Sequence, residues 1–467
     1  MKKVDFLVKP QFSPPLDPGF RPAILANRKF LKNVKNSGSS VLLVLGLERL
    51  NGAFSRFETL VYDESHPDSE QNLYYAERLI KFLLWQRGGW RIFVGGPSSI
   101  GHHIRTVYSD GGRQDFDFHF MSNIYDKSIE VISCTVDEVP PEKELEKSLG
   151  RHIEGNRIGF DLGASDLKVS AVIDGQAIFS TEIEWQPRQQ SDPTYFYDQI
   201  KAALDLANSK LPSLDAIGGS SAGVYINNRP MIASLYRGIP EDKFDQIHNL
   251  FLNIQKEMGV PLEIVNDGEV TALAGSMSLE DNAVLGIAMG SSEAAGYVTP
   301  DGNITDWLNE LAFAPLDFNP DAAIDEWSRD QGVGASYFSQ QCVFRLAPEI
   351  GVQIPQDISD AQKLKFIQLK LEAGNSEVAK IWQSMGIYLG YAIAHYADFY
   401  DIKHILILGR CTSDKGGPII LDGAKKVLAA EFPELAAKIN IQLPDEKNRR
   451  VGQSIAAASL PELGAKV

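Results

Sequence analysis

The spacing of apolar residues divides the chain into stretches of different character. Leu73, Ala76, Leu79, Ile80, Leu83 and Leu84 recur at helical intervals, so a helix is expected over Leu73–Trp85. Val41–Leu45, Phe57–Tyr62, Trp90–Val94, Phe116–Phe120 and Ile129–Val136 are short apolar or alternating runs and read as strands. Asn51-Gly52 lies between the first two and marks a hairpin. The first 40 residues are rich in Pro, Lys and Asn and read as an extended arm. Residues 1–150 thus form a small α+β domain, closed by the charged, turn-rich stretch Pro140-Pro141-Glu142-Lys143-Glu144.

After Gly155 apolar strands alternate with helices and glycine-bearing turns, the pattern of an α/β domain. The clearest helix there is Val378–Tyr400, running into the apolar strand His404–Leu408.

Composition narrows the classes. The chain has 467 residues, 44% of them apolar, enough for two or three structural units with a large core. A formal charge of −16 gives no electrostatic help to nucleic-acid binding. The three cysteines, Cys134, Cys342 and Cys411, form no CxxC pair, so neither a disulfide framework nor a structural zinc cluster is expected. Asp5, Lys9 and Pro10 interrupt the start, no stretch is apolar enough to span a bilayer, and a cytoplasmic location with no membrane partner is expected.

Four segments carry candidate chemistry. In Arg157-Ile-Gly-Phe-Asp161-Leu-Gly163-Ala-Ser165-Asp-Leu-Lys168, a strand turns tightly into a second strand. Gly163 permits close approach of a phosphate, Ser165 and Lys168 offer donors, and Asp161 suits magnesium, directly or through water. The same residues are compatible with an ordinary Asp/Gly hairpin. In Asp215-Ala-Ile-Gly218-Gly219-Ser220-Ser221-Ala222-Gly223 a strand empties into a small-residue loop, read as a ligand contact or a tight turn. In Leu262-Glu-Ile-Val-Asn266-Asp267-Gly268 a strand ends where a helix begins, and Asp267 is either a proton acceptor or the helix N-cap. In Leu285-Gly286-Ile-Ala-Met-Gly290-Ser291-Ser292-Glu293, a strand meets a second candidate phosphate loop or a simple hairpin.

The order of these segments, followed by Met385-Gly-Ile-Tyr-Leu-Gly390 and His404-Ile-Leu-Ile-Leu-Gly409, resembles the ROK family of sugar kinases and regulators over about 158–460. The family lies within the superfamily of actin, hexokinase and the heat-shock chaperone ATPases. The resemblance implies a duplicated, ribonuclease H-like α/β fold in two lobes, 156–275 and 276–467, with the helix near 451–460 returning to the first. It implies an ATP- and Mg2+-dependent carbohydrate kinase with Asp267 as general base. Asp161, Gly163, Ser165 and Lys168 would form the first phosphate loop, Gly290, Ser291 and Ser292 the second, and Gly409 the adenosine loop. Ser220, Ser221, Gly223, Asn266 and Glu310 would contact the sugar, and a homodimer is expected by analogy.

Departures from the family pattern are specific. Asp166 replaces the lysine of the first loop, Glu293 brings negative charge to the second unless it points away, and Arg410 follows Gly409. Phe313 stands where a sugar- and zinc-binding histidine is usual, and the cysteine cluster is absent, so no zinc site is expected. These departures keep open a non-catalytic sugar- or nucleotide-sensing or partner-binding protein on the same fold. Residues 1–150 carry no basic recognition helix. Gly95-Gly-Pro-Ser-Ser-Ile-Gly101 and His102-His103 read as a surface turn and solvated residues, or as a ligand loop and metal ligands.

Overall fold

A computed structural model describes residues 4–147, 149–444 and 446–463. The chain groups into two compact units. One holds Met1–Leu145, Ile287–Ala295 and Trp307–Leu443, the other Glu146–Gly286, Gly296–Asp306 and Pro444–Val467. This grouping cuts the chain differently from the three stretches 1–150, 156–275 and 276–467.

In the first unit the strands Phe54–Tyr62, Ser40–Glu48, Arg91–Gly95 and Glu130–Cys134 form one sheet in that order, antiparallel except for the last pair. The hairpin between the first two in sequence turns at Asn51 and Gly52, both with positive φ (59° and 72°), which explains the Asn-Gly pair. The helix Gln71–Arg87 is buried on every side, and even Glu77, Arg78, Lys81 and Gln86 are inside. These charges survive burial because they are paired. Arg78 lies 2.6 Å and Lys81 3.3 Å from Asp330, Lys81 lies 2.7 Å from Asp117, and Glu77 pairs with Arg113. Burial raises the Asp117 carboxyl against the pull of Lys81. For Asp330 burial works in the same direction, but Arg78, Lys81 and Arg113 outweigh it and hold the group far below its usual range.

Two expectations for this region are corrected. Phe116–Phe120 is not a strand but part of the helix Asp115–Tyr125. Its aromatic residues alternate with Asp117 and His119, which imitates a strand, but its buried residues are Asp117, Met121, Ile124 and Tyr125 at helical spacing. Asp117 faces inward only because Lys81 meets it there. The arm is extended only before Ala23–Asn36, a helix that buries Asn27, Phe30 and Val34 and that its Lys and Asn residues disguise. Ser98–Val107 is likewise a helix rather than a turn, and His103 meets Glu77 at 3.0 Å.

The long helix Ser376–Tyr396 is capped by Asn375, which accepts from the amides of Glu377 and Val378. It packs closely on Gly416–Glu431. A Cβ on Gly386 would stand 2.7 Å from the Ile420 carbonyl, and one on Gly423 3.0 Å from Gly386. The strand His404–Leu408 follows and pairs in parallel with Asn440–Gln442.

In the second unit five strands lie in the order Leu262–Asn266, Ala216–Ser221, Asn156–Leu162, Asp166–Ile173, Gln176–Glu184. The first three are parallel and the last two antiparallel. Pro193–Asn208 packs against this sheet, as does the C-terminal helix Glu446–Ala458. Gly159 and Gly218 make room for the latter. A Cβ on Gly218 would stand 1.7 Å from the Ala457 carbonyl, and one on Gly159 2.1 Å from that of Ser454. Gly218, Gly219, Ser220 and Ser221 are therefore strand residues, and of the expected small-residue loop only Ala222 and Gly223 lie beyond the strand. Among the described residues no helix is long and apolar enough to cross a membrane.

Candidate functional site

The three parallel strands of the second unit end side by side. Their register sets Leu162 beside Ser221 and Ser221 beside Asn266, so one sheet edge carries the C-terminal ends where α/β proteins place their chemistry. One residue back, Asp161 lies opposite Lys168 on one neighbour and Ser220 on the other. Lys168 Nζ is 3.7 Å from Asp161 Oδ2 and 3.2 Å from Asp166 Oδ2. Burial raises the Asp161 carboxyl, while Ser220 and Lys168 hold it back. Burial also acts upward on Asp166, but its contacts with Glu182 and Lys168 keep it low.

The first turn is tied by backbone and indole. Gly163 N donates to the Asp166 carbonyl (2.8 Å), and the Trp185 indole donates to the Gly163 carbonyl (2.8 Å). A Cβ on Gly163 would sit 2.4 Å from Asp166 Oδ1, so glycine is required there. Ser165 is exposed at the tip.

Asp267 is the first residue of the helix Asp267–Leu279, directly after the strand Leu262–Asn266. The capping role falls to its neighbour. Asn266 Oδ1 accepts from Gly268 N (2.7 Å), and its Nδ2 donates to the Gly223 carbonyl (2.8 Å). Asp267 Oδ1 also receives Gly268 N (3.0 Å), and Oδ2 has no hydrogen bond among the described residues. Burial and then the nearby charge of Asp161 raise the Asp267 carboxyl to about 6. A group with that acidity is ionised at neutral pH yet basic enough to take a proton.

The remaining polar groups at this edge serve one another. Ser221 Oγ accepts from the Tyr225 hydroxyl (2.6 Å). Gly223, at φ 124°, lets its backbone meet Ile232 and Ala233, where a Cβ would come within 2.5 Å. Asp161, Lys168, Ser220, Ser221, Gly223, Asn266 and Asp267 are thus gathered along neighbouring strand ends. Tyr225, Trp185 and Glu182 were not singled out from sequence, since an aromatic or acidic residue on a strand carries no local signature of such a role.

Within the first unit, Gly290 N donates to the Ser292 carbonyl (3.0 Å), and its own carbonyl accepts from Gln340 N (2.9 Å). Ser291 and Ser292 are exposed. Glu293 does point away from the turn. It is buried, with Oε1 3.5 Å from the Tyr396 hydroxyl and Oε2 unpaired, and burial raises it to about 8. It carries little negative charge at neutral pH. Gly409, at φ 98°, passes so near Met289 that a Cβ would lie 2.5 Å from the Met289 carbonyl. Arg410 is exposed, and its carbonyl accepts from Gln368. Glu310 N donates to the Trp85 carbonyl (3.0 Å) at the end of the helix Gln71–Arg87. The Phe313 ring lies 4.5 Å from that of Trp85.

Elsewhere Asp110, Asp115 and His119 bring ligand-type atoms within 4.8 Å of one another at the exposed start of a helix.

No family model matches the chain, and no curated protein matches it. Solved structures do. One is described as a ROK family transcriptional regulator, a homologue of the E. coli Mlc protein. It matches at 16% identity and TM-score 0.52, covering 66% of this chain and 79% of that one. Another is the ROK hexokinase from Thermus thermophilus, at 15% identity and TM-score 0.50, covering 65% of this chain and 97% of the other. At such identities the likeness is one of fold. The chain carries the mixed α/β, actin-like ATPase fold of ROK proteins, as the order of its sequence segments indicated. That fold serves both a regulator and a kinase, so function rests on the site.

Proposed function

We propose that the protein is an ATP-dependent carbohydrate kinase of ROK type, with Asp267 as its general base. The observation that supports this reading is the state of Asp267. It stands at a strand's C-terminal end, it shares the Gly268 amide with Asn266, and burial and then Asp161 raise it to about 6. A merely structural Asp at a helix start is held low by the backbone N–H groups it accepts, whereas here burial and Asp161 outweigh that pull.

In this reading Asp267 Oδ2 takes the proton of an acceptor hydroxyl as that oxygen attacks the γ-phosphorus of ATP. The P–O bond to ADP breaks as the new one forms, and ADP leaves with the electron pair. Positioning and charge stabilisation carry most of such a step. Asp161 would hold Mg2+, which supplies positive charge to the phosphate oxygens. Ser165 and the backbone around Gly163 would receive phosphate, with Gly290, Ser291 and Ser292 as the second phosphate loop and Gly409 at the adenosine. Ser220, Ser221, Gly223 and Asn266 hold the shape of the edge that meets the sugar, and Glu310 contacts its hydroxyls. A small carbohydrate is the acceptor, with no nucleic-acid partner and no zinc. In this reading the protein works in the cytoplasm, with a homodimer expected by analogy with the family.

A second reading is a sensor that binds sugar or nucleotide without transfer. The pairing of Lys168 with both Asp161 and Asp166 favours it, since a lysine so engaged has less charge to offer a phosphate. Calorimetry of Mg-ATP binding across a panel of hexoses, followed by a phosphoryl-transfer assay, separates the two. Nucleotide binding that tightens with one sugar, with ADP formed, supports the kinase. Binding without turnover supports the sensor.

A further inference from the structure

The hairpin over residues 323–331 presents apolar side chains to solvent that the fold leaves uncovered. Trp327 is 70% exposed, and Ile324, three residues before it, is 59% exposed. Single apolar residues are ordinary at a surface, but a fixed pair beside an open groove marks a contact site. The tip is fixed by its backbone. Ile324 bridges to Gln331, Asp325 N donates to the Asp330 carbonyl (2.9 Å), and Arg329 N donates to that of Asp325 (3.0 Å). Asp325 Oδ2 accepts from Trp327 N, Ser328 N and the Ser328 hydroxyl. At the base, Arg78 and Lys81 hold Asp330. The indole makes no hydrogen bond or ring contact among the described residues. Beside the tip lies a groove of about 680 Å3. Phe344, Pro348, Val352 and Ile354 give it apolar surface, and Glu326 and Asp360 give it negative charge. Lys363 also lines it, but lies 2.9 Å from Asp360 and is paired with that carboxylate. Arg329, exposed on the same tip as Trp327, enters no ion pair among the described residues.

We infer that the occupant of this groove is the hairpin tip of a second copy of this chain, in a reciprocal two-fold contact. Such a contact requires one chain to carry both halves of a complementary pair, and this chain does. A tip bearing an indole and a guanidinium, the side chains that dominate interfaces, stands next to an apolar hollow with acidic walls. Glu326 belongs to both the tip and the groove, so the two adjoin, and an axis between them sets each tip over the groove of the other copy. The charges match in that arrangement: Arg329 meets Glu326 and Asp360 of the partner subunit. Each indole withdraws about 150–250 Å2 from water, and symmetry counts that gain twice. An unrelated partner would have to bring both a hollow for the ring and a basic tip, whereas a second copy brings both. The inference is independent of the kinase reading, and it gives self-association a surface and a charge pair.

The test is sedimentation equilibrium of the full chain. The wild type should be a dimer at about 50 μM. Trp327→Ser removes a ring without a partner in its own chain, so it should leave the far-UV circular dichroism unchanged and weaken the dimer by at least about tenfold. Arg329→Glu should weaken it by a similar factor. Adding Glu326→Arg to that variant should recover most of the loss, because the charges then meet in reverse. A monomeric wild type overturns the proposal, whatever else the tip binds. So does a dimer that Trp327→Ser leaves intact, which places the contact on another face, or a double variant no tighter than Arg329→Glu alone. Asp267→Asn should dimerise as the wild type does while phosphoryl transfer is lost, so this inference and the kinase reading fail separately.

Discussion

Replacing Asp267 with Asn removes the proposed base and an uncomfortable charge in one step, and the two effects have opposite signs. The fold raises this carboxyl from 3.8 to about 6. Each tenfold change in acidity is worth 1.36 kcal/mol, so ionising the group in the fold costs up to about 3 kcal/mol. Partial exposure screens it, and about 1–3 kcal/mol is the expected range. Between pH 4 and 6 the folded chain holds this proton more tightly than the unfolded chain. Its share of stability therefore falls as pH rises through that window and stays lost above it. Asp267→Asn should accordingly be more stable than the wild type at pH 7.5, and the advantage should vanish below about pH 4. The cap survives, because Asn266 Oδ1 still receives Gly268 N. Transfer should drop by two to four orders of magnitude, the usual worth of a positioned base, while Mg-ATP binding stays near the wild-type value. Urea denaturation at pH 4, 6 and 7.5, with a coupled ADP assay, measures both arms. A variant that is less stable at pH 7.5, or that turns over like the wild type, refutes the assignment of a strained, reactive carboxylate.

Other outcomes follow from the same chemistry. Wild-type transfer should fall about tenfold per pH unit below pH 6 as Asp267 protonates, read from a pH–kcat profile. Glu293, raised to about 8, stays protonated in the fold at pH 7 while it ionises in the unfolded chain, so stability should fall between pH 4.5 and 8 by a few kcal/mol. Glu293→Gln, which imitates the protonated acid, should flatten that slope in thermal melts. Asp330→Asn leaves Arg78 and Lys81 with less buried counter-charge and should cost about 3–5 kcal/mol in urea unfolding. Gly218→Ala drives a methyl into the Ala457 carbonyl and should cost a few kcal/mol by displacing the C-terminal helix, seen as faster amide exchange in residues 452–458.

Much of this protein was legible without coordinates where a local rule sufficed. The Asn51-Gly52 turn, the helix beginning near Leu73, the paired strands around Gly163 and the strand-to-helix junction at Asp267 each depend on neighbours in sequence, so periodicity and turn chemistry locate them. The order of those junctions carried the resemblance to the ROK family, and the fold followed from that resemblance. Other features depend on which distant residue arrives. Phe116–Phe120 reads as a strand until Asp117 is found turned inward beside Lys81 on a helix. Gly218 and Gly219 read as part of a small-residue ligand loop or tight turn until a helix more than 200 residues later is found lying on the first and the Phe160 ring on the second. Glu293 reads as a charge set against phosphate until burial beside Tyr396 neutralises it. Whether Asp267 is a cap or a base was undecidable from its own position, since both roles use the same residue at the same junction. The three-dimensional arrangement adds what the position alone lacks: Asn266 shares the Gly268 amide with Asp267, and burial first and Asp161 second raise the Asp267 carboxyl to about 6. The physical reason is common to these cases: chain geometry is local, whereas desolvation and charge depend on everything packed around a group.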